Sequence, residues 1–209
     1  MKRIYVYLIA FLVLPTHFSC SDKEEPINSV FDLSDKVLKI EDITATAIRI
    51  NAIFEMSNLN KISDDEKDSK LKDELKLFID NGKTLFNETI AYLENIDYAE
   101  LSDDERARLL DMDDQHLVEF SVVMSFAYNH DAACADTNKS FEEWDVDRVM
   151  SCIGAALGLS EIATIVSNTA QLTTIQGTTQ LLKVIGRRYL GWFGVAVGVY
   201  SFGKCMDAW

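Results

Sequence analysis

Positive charge is scarce in this chain. Its 209 residues hold 20 Lys+Arg against 34 Asp+Glu, a formal net charge of -14 with a pI near 4.5. That shortage excludes nucleic acid as a partner, because phosphate recognition needs a clustered basic surface. Turn chemistry is scarce as well, with 9 Gly and 2 Pro. No stretch keeps a period-two alternation between turn residues, and Asn81-Gly82 lies inside a helical pattern, so an all-α protein is the simplest reading. The chemical signatures of several enzyme classes are missing too: there is no Gly-x-Ser-x-Gly elbow, phosphate loop, His-Glu-x-x-His or Cys-x-x-Cys. No catalytic activity and no cofactor are therefore expected. What is present is 48% hydrophobic residues, enough to bury a core at the length of one domain.

The N-terminus has its own pattern. Lys2 and Arg3 precede an uncharged apolar run of eleven residues, Ile4 to Leu14, and Ser19 stands directly before Cys20. The run is too short to span a bilayer as a helix and fits a signal peptide over residues 1–19. The Ser19-Cys20 junction resembles the lipobox of bacterial lipoproteins, and Ser21-Asp22-Lys23-Glu24-Glu25 resembles the acidic surface-export tag of Bacteroidota-type members. The resemblance covers about 25 residues and is silent on the domain behind them. It implies that Cys20 takes the lipid, palmitate included, and becomes the mature N-terminus. It also implies an address on the outer membrane, at the cell surface of a Gram-negative bacterium. Two or more acyl chains give stable anchoring at about 0.8 kcal/mol per buried methylene.

The acidity is uneven. Residues 1–19 hold two charges, both positive, so the chain from Cys20 onward stands at -16; residues 151–209 balance at +2, which leaves -18 on residues 20–150. Residues 20–34 are polar, contain Pro26 and read as a flexible acidic tether reaching at most about 45 Å. Residues 35–209 read as one all-α domain, an irregular bundle of about five to six helices. Residues 35–147 supply acidic amphipathic helices. Val37, Ile40, Ile43, Ala47, Ile50 and Phe54 share one helical face that Asn58-Leu59-Asn60 closes. Ser63 with Glu66, Ser102 with Glu105, and Ser140 with Glu143 have capping-box spacing. Behind Ser63 a long helix is expected to run to about Asn95, with Gly82 marking a close crossing or a kink; Leu109, Met112, His116, Phe120, Val123 and Ala127 continue the helical spacing to about Ala133.

After Asp147 the texture turns small and apolar, and residues 148–206 read as a Gly-rich helical hairpin. Gly154 and Gly158, then Gly194 and Gly198, sit four apart, the spacing that lets helices approach closely. The uncharged stretch Ile162 to Leu182 is longer but polar through its second half, and Tyr189 to Gly203 is an uncharged run of fifteen residues, about 22 Å of helix against about 30 Å of hydrocarbon. It is expected to be bundle core, and a membrane-active, bacteriocin-like hairpin is the rival reading. Lys183, Arg187 and Arg188 are expected to pair with the acidic helices. Cys152 and Cys205 bracket the hairpin and form the expected disulfide, worth about 4 kcal/mol, with Cys134 to Cys205 the alternative.

His116 lies between Asp113 and Glu119, each three residues away, so imidazole and carboxylates share one helical side. A di-metal bundle needs a second Glu-x-x-His pair, which the chain does not offer, so no metal is expected. His130 reads as a helix-end cation, and Trp192 and Tyr200 as core aromatics. The expected partners are a membrane, through lipid on Cys20, and an unidentified protein.

Overall fold

The computed structural model describes residues 31–59, 61–95, 101–135, 172–188 and 190–205, the side chains of 130–135, 202 and 205 excepted. Among the described residues the protein is all-helical: α1 (Ile40–Asn58), α2 (Asp64–Glu74), α3 (Lys76–Asn95), α4 (Asp103–Leu110), α5 (Asp114–Ala135), α6 (Ile175–Ile185) and α7 (Gly191–Cys205). These seven exceed the five to six expected, because two stretches that read as continuous are divided. The first breaks at Leu75, so that α2 packs on α1 and α7 while α3 packs on α5. The second breaks at Asp113, whose carboxylate accepts the backbone N–H groups of Gln115 (2.9 Å) and His116 (3.1 Å) and starts α5 afresh. A short acidic side chain competes in this way for the donors a continuous helix would use.

Start signals act where the spacing placed them. Ser63 Oγ accepts the Glu66 N–H, and Ser102 with Glu105 forms a full reciprocal capping box. Ser63→Ala is expected to cost about 1 kcal/mol in urea denaturation. The Ser140 signal and residues 148–171, the first arm of the expected hairpin, lie outside the described residues.

The centre of the bundle is α5. Every side chain from Leu117 to Tyr128 is buried, so the helix is enclosed on its whole circumference by α1, α3, α6 and α7 rather than on a single stripe. That is a correction to its reading as an amphipathic helix. A helix buried on all sides must satisfy its polar groups internally, and α5 carries Glu119, Ser121 and Ser125. In the apolar third, α7 is packed chiefly on α1: Val195, Ala196 and Val199 are buried, and Phe54 meets Phe193 and Tyr200 at ring separations of 5.6 and 5.4 Å. Phe193 keeps 51% exposure, with the Lys67 ammonium 4.8 Å above its ring.

Gly82 marks a crossing. A Cβ there would stand 2.1 Å from the Leu117 carbonyl oxygen, so α3 meets α5 backbone to side-chain-free backbone. Asn81 accepts the Ser121 hydroxyl at 2.7 Å, and Lys83 pairs with Asp114 at 2.9 Å, one on each side of the contact.

Candidate functional site

Two groups of polar side chains converge on α5. The first holds the N-terminal segment. Ser121, Ser125 and Asn129 recur every four residues and line one side of the helix. The Leu38 N–H donates to Ser125 Oγ (3.0 Å), Asn129 Nδ2 donates to the Leu38 carbonyl (2.8 Å), and the Leu33 N–H donates to the Tyr128 hydroxyl (3.1 Å). Asn81, oriented by Ser121, donates to the Lys36 carbonyl. Leu33 is buried and Phe31 meets Tyr92 edge to face at 5.0 Å. Phe31 to Ser34, placed in the tether by composition, are thus seated on the bundle. The signal for this contact is three small polar residues four apart in an apolar helix.

The second group is ionisable. Glu119 is 2% exposed and accepts from Arg188 Nη1 at 2.8 Å. Burial pushes its carboxyl up to about 7; Arg188 and His116 oppose that rise and Asp113 adds to it. His116 Nε2 faces the Arg188 carbonyl, which can only accept, so this nitrogen carries a proton. Nδ1 lies 3.1 Å from the Asp113 backbone N–H and 2.8 Å from Asp113 Oδ1. Bare, it accepts from the backbone; protonated, it donates to the carboxylate. Asp113, His116 and Glu119 therefore come together as their spacing suggested, and Arg188 joins them from 69 residues beyond Glu119.

The remaining basic residues of the triplet also pair internally. Lys183 Nζ stands 3.3 Å and Arg187 Nη2 3.8 Å from Glu105 Oε1. The Ser102 backbone N–H and hydroxyl, then Lys183, hold the Glu105 carboxyl below its ordinary value.

The buried carboxyl of Glu119, with its raised value, can store a proton, and together with His116 it positions Arg188. Among the described residues no cluster of His, Cys, Asp and Glu is arranged to hold a metal ion. Cys20 and Cys152 lie outside the described residues, and Cys205 is placed only by its backbone, at the end of α7. A scan of protein-family models and searches of curated proteins and of solved structures find no match to this chain.

Proposed function

We propose that the protein is lipid-anchored through Cys20 and exported to the outer membrane, where its helical domain acts as a binding or structural module without catalysis. The observation that carries this reading is the Lys2-Arg3 start, the apolar run Ile4 to Leu14 and the Ser19-Cys20 junction, followed by an acidic stretch. In this reading the Gly-rich apolar third is a packed hairpin of the bundle. Burial of Val195, Ala196 and Val199 against α1 favours that over a membrane-inserting hairpin, and no helix of the described residues is long and apolar enough to cross a membrane. The Cys152–Cys205 disulfide would staple the hairpin in an oxidising compartment.

Metabolic labelling with a palmitate analogue tests the anchor. The wild type is expected to take the label and fractionate with membranes, and Cys20→Ala to do neither. An unlabelled wild type overturns the anchor. Leakage of dye from vesicles exposed to the purified Cys20→Ala protein overturns the module.

A further inference from the structure

The chain is seated on the bundle before its first helix begins, and what holds it there is mostly backbone. The Leu33 and Leu38 N–H groups donate to Tyr128 and Ser125, the Lys36 and Leu38 carbonyls accept from Asn81 and Asn129, and the Leu33 side chain is buried. Main-chain groups bonded in this way fix the path of the chain and leave most of its side chains free. The seated stretch begins at Phe31, against Tyr92 in the last turns of α3.

That point lies at one end of the molecule. Arg49, midway along α1, pairs with Glu74 at the end of α2, and Asn81 of α3 reaches Lys36 just ahead of α1, so the path from α2 into α3 runs opposite to α1. Tyr92 stands about 16 Å beyond Asn81 along α3, past the start of α1. Leu59 stands at the other end of α1, about 30 Å from Leu38, and Phe193 packs on Phe54 near that end. The two ends are thus about 40 Å apart, the width expected of a domain of this size.

We propose that this seating orients the anchored protein: the end at Phe31, Asp32 and the last turns of α3 faces the lipid bilayer that holds Cys20, and the end at Leu59 and Phe193 faces away. The inference rests on lipid attachment at Cys20. From Cys20 to Phe31 is eleven residues, at most about 37 Å when fully extended. Turning the domain over so that Leu59 meets the bilayer would carry Phe31 about 40 Å from it, beyond that reach. Without the seating, the chain from Cys20 to Ile40 would extend to about 68 Å and either end could approach. Asn81, Ser125, Tyr128 and Asn129 are therefore positioning residues, and the exposed Leu59 and Phe193 are left open on the outer side.

Energy transfer from protein to membrane reads the orientation. The lipidated protein is placed in phosphatidylcholine vesicles carrying an acceptor dye on the headgroups, with a fluorescent amino acid at position 94, in the last turn of α3, or at position 59, both exposed. Transfer from position 94 is expected to be severalfold that from position 59. Two variants are expected to bring the two values together: Leu33→Asp, which unseats the segment by placing a charge where leucine is buried, and a Gly-Ser insertion of about twenty residues between Glu25 and Pro26, which lengthens the tether outside the bundle. Equal transfer from the two positions, in wild-type protein that floats with the vesicles, overturns the orientation alone. Wild-type protein that does not float overturns the anchor, and the orientation with it. A difference that either variant leaves in place overturns the seated, short tether as its cause. If Leu33→Asp does not fold, the insertion decides.

Discussion

Gly82→Ala is expected to destabilise the protein by about 3 kcal/mol, at the upper end of what overpacking a core costs. In an exposed helix interior the same change stabilises by about 1 kcal/mol, so the sign depends on the crossing of α3 and α5. The added Cβ would lie 2.1 Å from the Leu117 carbonyl oxygen and 2.7 Å from its carbonyl carbon. Both are backbone atoms of the most enclosed helix, and no rotamer change relieves them. Relief requires α3 and α5 to separate, which strains the Asn81–Ser121 and Lys83–Asp114 contacts flanking the crossing and loosens packing around the fully buried Phe78, Leu85 and Phe120. Urea denaturation measures the effect as a lower midpoint at unchanged slope. A midpoint at or above that of the wild type would show that the helices slide apart without cost.

Gly82 also shows what the sequence could convey. Its position inside an apolar stripe marked either a crossing or a kink, and only the partner backbone decides between them. Helix starts were legible because a cap is written within four residues, as at Ser63 and Ser102. The break at Leu75 was not, since apolar spacing continues through it and tertiary contacts reorient the chain, and the local cap at Asp113 was masked by apolar spacing that runs across it from Leu109 to Phe120. The central helix was misplaced for a related reason. Apolar residues at every third or fourth position of α5 form a stripe, whereas Leu117 to Tyr128 are buried on every side. Three of the four members of the ionisable group were readable from the three-residue steps between Asp113, His116 and Glu119. The basic triplet signalled internal pairing but not which carboxylate each member meets, because Arg188 and Glu119 are joined by the fold and by no local period.

Arg188→Met is expected to cost about 2 kcal/mol at pH 8 and about 1 kcal/mol at pH 5, a difference that comes from Glu119. Burial already pushes this carboxyl up to about 7, and Arg188 is the strongest influence opposing it. Without the guanidinium the carboxyl rises further. At pH 5 it is protonated in the folded protein, needs no cation, and the loss is that of a hydrogen bond. At pH 8 the folded state must either bury an unpaired carboxylate or take up a proton from dilute supply, while the unfolded chain ionises freely in water. A group whose folded value is raised loses stability as pH rises from its unfolded value to its folded one; the wild type stops losing it near pH 7 and the variant does not, so the variant's deficit grows from about pH 7 upward. Urea denaturation at the two pH values measures the deficit, and adding Glu119→Gln to Arg188→Met should remove most of its pH dependence by supplying a neutral side chain of the same shape. An equal loss at both pH values would instead assign the role of Arg188 to packing and to its carbonyl bond with His116, leaving the charge of Glu119 without consequence for the fold.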